Sequence, residues 1–312
     1  MKRKYKILLI VIAVLIVVGF SAKRVLLDSS SVAEVPGIAE RVEDFRKAAG
    51  GGDTLPVKIN IVRVAEGTFP GGMVVAGDRS KTYTAPLVAF QVVYERELPG
   101  GGNTVIIDAG LDRAGLDTMG GQSVFNEAGY NMVQRAMRKA AAILITHEHF
   151  DHAGGIARSL FFNEISPRVL LTPEQAAGPE IMNAGFTPEM IAKCGKLSYN
   201  GLHSPFPGMV LLKTPGHLQG HQVVYVKLRN GNEFLIAGDI AWNMDNVTRL
   251  ISRPLLVSLF LGEDRAAVAG QLRWLHDRWY KAHPEVRVIV SHDRVQQDGY
   301  VKSGVLGGSF EL

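Results

Sequence analysis

Short apolar runs alternate with polar, glycine-containing loops along most of the chain. The run at residues 141–145 has no polar alternation, which predicts a strand that is buried on both faces. Similar or alternating runs occur at residues 57–64, 85–94, 104–107, 169–171, 209–212, 234–237 and 286–290. A Pro-Gly-Gly-Gly-Asn turn at residues 99–103 predicts a hairpin between two of them. The pattern favours a sheet-rich fold.

Helical periodicity falls between these runs. Residues 38–46 place apolar side chains on one face, and three glycines follow them and end the helix. Further helices are predicted for residues 131–140 and 187–196. Strands mixed with helices predict an α/β protein with one large domain, residues 56–312, preceded by a linker and short helix, residues 25–55.

Residues 1–24 form a separate segment, with six basic and no acidic side chains around the uncharged stretch Ile7–Ala22. A membrane span needs about 17–25 residues, and flanking lysines can extend a shorter one. The excess of positive charge before the stretch keeps the N-terminus in the cytoplasm. We therefore expect a signal anchor that holds an exported domain on the periplasmic or extracellular side. The alternative is a signal peptide, cleaved near Gly19-Phe20-Ser21, which would release a secreted or periplasmic protein.

The charge balance excludes a nucleic-acid-binding surface of the usual kind. The net charge is +4, with 34 basic and 30 acidic residues, but beyond residue 24 acidic residues outnumber basic ones by two. The basic character thus belongs to the N-terminal segment, and we expect no nucleic-acid partner. Cys194 is the only cysteine, so the chain has no internal disulfide.

The densest group of potential metal ligands is the heptapeptide Thr-His-Glu-His-Phe-Asp-His, residues 146–152, directly after the strand at 141–145. His147 and His149 are two residues apart, so in an extended loop they point the same way. Asp151 and His152 can face a second point nearby. Imidazole and carboxylate are the ligands of open, catalytic zinc sites, and this spacing rarely arises in a merely His-rich loop. Three other apolar runs also end near a ligand type, at His217, Asp239 and His292.

The pattern H-x-H-x-D-H, followed by these three residues in order, resembles the metallo-β-lactamase-fold hydrolases over roughly residues 55–295. The resemblance implies an αββα sandwich, in which two mixed β-sheets pack face to face with helices outside. It also implies two divalent metal ions, with zinc as the default, although iron or manganese would fit. The first ion would be held by His147, His149 and His217, the second by Asp151, His152 and His292, and Asp239 would bridge them.

The flanking residues resemble the N-acyl-homoserine lactonase branch of that superfamily. The resemblance implies that Asp108, after the run at 104–107, orients a ligand histidine. His221 is expected to be a structural, hydrogen-bonded histidine. Trp242 stands where that branch has a tyrosine near the substrate carbonyl, and an indole can donate one N–H but cannot act as a phenolic acid.

These features predict a hydrolase that opens a small-molecule lactone or ester resembling an N-acyl homoserine lactone. Two divalent ions would lower the pKa of a shared water, and the resulting hydroxide would attack the carbonyl while Asp151 moves the proton. A β-lactamase, a glyoxalase II-like thioesterase or a phosphodiesterase of the same fold is an alternative. So is a membrane-tethered metal-binding protein without catalysis. The oligomeric state stays open.

Overall fold

The strands form two large sheets and one small one. The computed structural model describes residues 18–30, 38–119 and 122–312, and within these ranges it contains twelve strands. They are β1 (Lys58–Pro70), β2 (Thr82–Val93), β3 (Thr104–Ile107), β4 (Ser123–Phe125), β5 (Ala142–Leu144), β6 (Leu170–Leu171), β7 (Gly195–Lys196), β8 (His203–Phe206), β9 (Met209–Lys213), β10 (Gln222–Lys227), β11 (Glu233–Ile236) and β12 (Val286–Ile289).

The helices connect the strands. Residues 18–23 are helical and continue into a π-helix, Arg24–Asp28; residues 18–28 are called the N-terminal helix below. The α-helices after it are α1 (Val42–Ala49), α2 (Gly71–Val74), α3 (Arg113–Met119), α4 (Glu127–Lys139), α5 (Phe150–Ala157), α6 (Phe162–Ile165), α7 (Pro173–Ala177), α8 (Pro179–Asn183), α9 (Pro188–Lys193), α10 (Met244–Arg249), α11 (Leu255–Leu261), α12 (Arg265–Trp274) and α13 (Arg294–Lys302). Short 3₁₀ turns occupy Ser166–Arg168 and Gly238–Ile240, and a π-helix, Leu275–Lys281, follows α12.

Both large sheets are mixed, as the resemblance implied. The first has the strand order β4-β1-β2-β3-β5 and the second has the order β12-β11-β10-β9-β8. Only the β3–β5 pair in the first and the β11–β12 pair in the second are parallel; the other pairs are antiparallel.

The two sheets pack face to face with helices on their outer faces. In β9, Met209 and Leu211 belong to the buried cluster between the sheets, together with Phe90 of β2. Val210 and Leu212 belong to a second cluster on the outer face, which includes residues of α1 and α12. Successive strand residues point to opposite faces, so an uninterrupted apolar run supplies both clusters. The layers confirm the predicted αββα sandwich.

Helix α1 is part of the core of the domain, although its residues lie in the segment predicted as linker and short helix. Phe45 is fully buried, and its ring contacts those of Tyr225, Trp274 and Trp279. The edge of the Trp279 ring lies against it with the ring centroids 5.0 Å apart. Helix α1 thus packs against the outer face of the second sheet, and also against α12 and the π-helix that follows it.

Replacing Phe45 with alanine is expected to lower the free energy of unfolding by about 3–5 kcal/mol, because it leaves a cavity in this aromatic cluster. Urea denaturation would measure the loss. Val124→Ala on β4 is the control: its side chain is 63% exposed, and the change should stay within about 0.5 kcal/mol. Equal effects of the two substitutions would contradict the assignment of α1 to the core.

Two predicted helices differ from the observed ones. The helix predicted for residues 131–140 begins earlier, at Glu127, because the Asn126 side chain accepts a hydrogen bond from the Gly129 N–H and caps it. The prediction for residues 187–196 was wrong in its last turn: α9 ends at Lys193. Residues 195–196 form β7 instead. This strand pairs with β6, because the pairing satisfies backbone N–H and C=O groups of both strands.

The N-terminal segment is described only in its last part. Residues 7–17 of the uncharged stretch lie outside the described residues, and residues 18–22 are exposed in the N-terminal helix. Within the described ranges, no helix has both the length and the apolarity that a membrane crossing requires.

Strand direction brings the predicted ligands to one place. β9 and β11 are both antiparallel to β10, and β12 is parallel to β11, so the carboxyl ends of β9, β11 and β12 lie at the same edge of their sheet. β3 and β5 are likewise parallel and end together. The heptapeptide begins just after β5, at the carboxyl end of the strand, which is where functional residues of α/β folds commonly lie.

Candidate metal centre

Two groups of potential metal ligands meet where these strands end. Their atoms lie within 4.8 Å of one another in each group, and most of the side chains are buried. The groups are His147, His149, His217 and Asp239, and Asp151, His152 and His292. The structure therefore brings together all seven residues that the sequence pointed to, from four separate stretches of the chain.

The first group has the spacing of ligands around one ion. Nδ1 of His149 lies 3.1 Å from Nε2 of His147 and 3.0 Å from Nε2 of His217. Oδ2 of Asp239 lies 3.4 Å from Nε2 of His217 and 3.8 Å from Nε2 of His147. A tetrahedral ion with bonds of about 2.1 Å separates its ligands by about 3.4 Å, so the four atoms fit such an ion.

The second group shares Asp239 with the first. Oδ1 of Asp239 lies 3.4 Å from Nε2 of both His152 and His292. Oδ2 of Asp151 lies 3.7 Å and 3.6 Å from the same two nitrogens. Each oxygen of Asp239 thus faces a different group, which is the arrangement that a bridging carboxylate needs.

Hydrogen bonds behind the histidines orient their free lone pairs inward. Nδ1 of His292 lies 2.9 Å from the carbonyl oxygen of Pro86, which can only accept, so this nitrogen carries the proton. Nδ1 of His217 donates in the same way to Oε1 of Glu263, at 2.6 Å. Nε2 of each ring is therefore an acceptor that points into the cluster, as partners behind a metal-bound imidazole arrange it.

Asp108 holds the heptapeptide from behind. Its Oδ2 accepts from Nδ1 of His152 at 2.9 Å, and its Oδ1 accepts from the backbone N–H of Thr146 at 2.7 Å. Its backbone adopts a φ of 58°, a conformation that few residues other than glycine take up but that aspartate tolerates. The structure thus places Asp108 where it orients His152, the role that the resemblance implied.

Buried polar atoms in the cluster need a partner that the described side chains do not supply. Nε2 of His152 and Oδ1 of Asp239 are buried without a hydrogen-bond partner among the described residues. Leaving such a group unsatisfied costs about 1–3 kcal/mol. A divalent cation would satisfy both atoms at once, and nitrogen and oxygen donors suit zinc, iron or manganese. The residues present therefore fit a metal site.

The charge states suit cation binding. Burial lowers the pKa of His147 well below its usual value and that of His149 to about 4, so both rings are neutral at pH 7. Burial raises the pKa of Asp239, but His292 and His152 facing it outweigh that effect and hold the pKa well below its usual value. Burial also lowers the pKa of His152 and His292, but the carboxylates that face them outweigh it and raise the pKa of both rings. The cluster thus combines neutral imidazoles at His147 and His149 with a charged carboxylate at Asp239.

The Trp242 side chain contacts both Asp239 and Arg253. Its indole Nε1–H donates to Oδ2 of Asp239 at 2.7 Å, and its ring lies 4.9 Å from the guanidinium carbon of Arg253. The only N–H of the indole is therefore directed to the shared carboxylate, so it is not available to a substrate carbonyl.

His221 is held by hydrogen bonds on both nitrogens. Nε2 accepts from the backbone N–H of Asp239 at 3.1 Å, and Nδ1 donates to Oγ1 of Thr214 at 2.7 Å. Because Nε2 is occupied by a backbone donor, the ring supports the loop that carries Asp239. Gly238 has a φ of 54°, and a Cβ there would lie 2.5 Å from Nε2 of His221, so this turn requires glycine.

Sequence reasoning did not find the ion pair behind His217. Arg253 and Glu263 contact each other closely, and both side chains are at most 2% exposed. Burial raises the pKa of Glu263, but Arg253 and His217 outweigh it and lower the pKa to about 2. Glu263 is 46 residues beyond His217 and belongs to no motif, so no pattern in the chain indicates it.

Replacing Glu263 with glutamine is expected to weaken metal binding about 10–100-fold, because the carboxylate that accepts the His217 Nδ1 proton and orients the ring is lost. Competition with a chelating indicator would measure the dissociation constant. Glu43→Gln is the matched control, since Glu43 pairs at 3.2 Å with His283, a histidine away from the cluster. Unchanged metal affinity in a folded Glu263→Gln protein would refute the role given to Glu263.

The chain is similar to known proteins in sequence. A profile of the metallo-beta-lactamase superfamily matches residues 86–251, just over half of the chain. An N-acyl homoserine lactonase from a Bacillus species is 28% identical over 162 residues, which cover 50% of this chain and 57% of that protein. One from Bacillus thuringiensis is 31% identical over 107 residues, covering 33% and 40%. The matched stretches thus span only about half the length of these relatives.

Solved structures show the same architecture. A crystal structure of a quorum-quenching N-acyl homoserine lactone lactonase superposes with a TM-score of 0.59 at 18% identity, covering 80% of this chain and 97% of that one. A dizinc quorum-quenching lactonase in complex with a homoserine product superposes with a TM-score of 0.53 at 14% identity, covering 78% and 92%. At these identities the likeness concerns the fold.

The profile match, the αββα layers and the two ligand groups agree. The chain belongs to the metallo-beta-lactamase superfamily, which confirms the resemblance found in its motifs. The relatives and structural neighbours named above are N-acyl homoserine lactonases.

Proposed function

We propose that the protein is a metal-dependent hydrolase that opens a lactone or ester resembling an N-acyl homoserine lactone. The observation that carries this proposal is the pair of ligand groups that share Asp239, one group facing each carboxylate oxygen. The names of the relatives support the choice of a lactone as substrate.

The proposed centre holds two zinc ions. One would bind His147, His149 and His217, the other would bind Asp151, His152 and His292, and Asp239 would bridge them. Bound there, divalent ions lower the pKa of a water and polarise a carbonyl oxygen. The chain itself fixes the imidazole orientations through the buried acceptors behind them, and so holds the site in one geometry before substrate arrives.

Asp151 is the residue proposed to move the proton. Its Oδ2 lies beside Nε2 of His152 and of His292, and its side chain is 14% exposed at the cluster. A carboxylate in this position takes a proton at one step and returns it to the leaving oxygen at the next.

A cysteine nucleophile is not part of the proposal. Cys194 lies in the outer core of the first sheet, and its thiol donates to the carbonyl oxygen of Met190. Burial raises the pKa of this thiol to about 11, so it is protonated at neutral pH and a poor nucleophile.

The proposed location is the outer side of a membrane, with residues 1–24 as an uncleaved anchor. The support is the sequence alone: the uncharged stretch Ile7–Ala22 and the basic residues on both sides of it. Extraction of the membrane fraction with alkaline carbonate tests it. An anchored chain stays in the pellet at full length, whereas a cleaved chain is soluble and shorter.

A substrate panel tests the function. Purified protein, with its metal content measured, would be offered acyl lactones, aryl esters, thioesters, a chromogenic β-lactam and phosphodiesters. We expect lactones or esters to be hydrolysed fastest and chelation to abolish turnover. A metal-loaded protein that opens no lactone and no ester would overturn the proposal, and one inert towards the whole panel would favour a metal-binding protein without catalysis.

A further inference from the structure

Helix α11 exposes a row of large apolar side chains. Phe260 is 88% exposed, Leu259 is 63% exposed and Leu256 is 48% exposed, all within seven residues. Other strongly exposed apolar residues of the described chain, such as Leu160 and Val295, lie on separate elements. A cluster of exposed apolar side chains marks a site of interaction with a membrane or with another molecule.

The last part of the N-terminal helix, Arg24–Asp28, lies beside α11, and the helix exposes further apolar side chains. It exposes Val18, Phe20 and Val25, which are 53–66% exposed. It also borders a cavity of about 650 Å³ that is lined in part by Phe69 and Met73. Two neighbouring helices thus both expose apolar side chains.

Polar contacts hold the N-terminal helix in place on the domain. The carbonyl oxygen of Leu27 accepts from the Gly77 N–H at 3.2 Å, and Asp28 pairs with Arg79 at 2.6 Å. Just after the helix, the carbonyl oxygen of Ser29 accepts from the Arg265 guanidinium. Since these contacts fix the helix to the domain, the exposed faces of the two helices keep one relative position.

The chain before the helix indicates what covers the surface. Residues 18–22 of the N-terminal helix are the end of the uncharged stretch Ile7–Ala22, and the basic residues Lys23 and Arg24 follow on the side of the domain. Apolar side chains beside basic ones suit a bilayer that contains anionic lipid, because the apolar groups enter the headgroup boundary and the cations meet its negative surface potential.

We infer that α11 and the N-terminal helix form one docking surface for a lipid bilayer with anionic headgroups. The assignment of this surface depends on the proposed membrane location, and what it implies for the substrate depends on the proposed function. α11 lies between Arg253 and Glu263, the ion pair that contacts Trp242 and His217. Docking there sets the metal centre beside the bilayer, so the substrate class is acyl lactones or esters dissolved in the membrane.

Labelling at single positions in the full chain tests the surface. Phe260→Cys and Leu160→Cys would each carry an environment-sensitive fluorophore, with the unsubstituted chain correcting for any label on buried Cys194. Vesicles of phosphatidylethanolamine and phosphatidylglycerol are the probe. We expect the label at position 260 to shift to the blue and to lose quenching by aqueous iodide, while the label at position 160, 96% exposed in the native side chain, changes in neither respect.

Three results would overturn the inference and are distinguishable. If the chain floats with vesicles but iodide still reaches position 260, the surface is wrong and the anchor stands. If the chain does not float, the location and the surface both fail. If position 260 is shielded without vesicles, and more so as protein concentration rises, a second copy covers the face.

Turnover supplies an independent readout. Phe260→Ser combined with Leu259→Ser is expected to lower hydrolysis of a long-chain acyl lactone embedded in vesicles, and to leave hydrolysis of a short, water-soluble lactone unchanged. Leu160→Ser is the control and should change neither rate. Equal loss on both substrates would contradict docking. If no lactone is hydrolysed at all, the proposed function fails, and the labelling result alone decides the surface.

Discussion

Replacing Asp239 with asparagine is expected to empty both metal positions together. Each oxygen of Asp239 faces a different group of histidines, and an amide offers one neutral oxygen in place of two charged ones. Turnover should fall by about three orders of magnitude, since metal assistance supplies several kcal/mol and each 1.4 kcal/mol is a factor of ten.

Elemental analysis of the purified variant, alongside kcat for the best substrate of the panel, would measure both effects. Asp277→Asn is the matched control, because that carboxylate is about half exposed and lies outside the cluster. Circular dichroism would show that the variant is folded. A folded Asp239→Asn protein that keeps the full metal content would show that the two groups do not depend on a shared carboxylate.

Replacing Asp151 with asparagine is expected to separate catalysis from metal binding. A positioned acid–base group contributes roughly 10²–10⁴-fold to the rate, so kcat should fall by about that factor. The first ligand group does not include Asp151, so an ion bound there should remain. An ion in the second group should be held more weakly, because only His152 and His292 of that group are left to bind it. Metal content and kcat measured on one preparation would show the difference.

Asp298→Asn serves as the control for this variant, because Asp298 is a half-exposed carboxylate that pairs with Arg63 and Arg294. Full turnover of the Asp151→Asn protein would remove Asp151 from the mechanism. Loss of activity only in proportion to loss of metal would make it a ligand and nothing more.

Much of the architecture follows from local patterns. The run at 141–145 and those at 209–212, 234–237 and 286–290 became β5, β9, β11 and β12 nearly at the predicted bounds, because fully buried strands have no alternative to continuous apolar sequence. The ends of a strand were harder to predict where pairing with a neighbouring strand determines its length. β1 runs to Pro70, six residues past its predicted end, because it pairs with β2 along that length.

The candidate ligands were accessible to sequence reasoning for the same reason. Each follows a strand that the apolar pattern predicts, and the heptapeptide places four of them within six residues. That they lie together depends on strand direction, which the parallel pairs β3–β5 and β11–β12 provide. The local pattern of the chain does not contain that direction.

By itself, the sequence determined the ligand types, the buried strands that present them and the apolar N-terminal segment, since each is a property of neighbouring residues. The tertiary structure alone decided that Glu263 and Arg253 stand behind His217 and that the Trp242 N–H is directed to Asp239. It also decided that α11 lies beside residues 24–28 of the N-terminal helix. Glu263 and His217 are 46 residues apart in the chain, so only the packing of helices on the two sheets sets the distance between them. Trp242 and Asp239 are close in the chain, but the packing around them sets the direction of the indole.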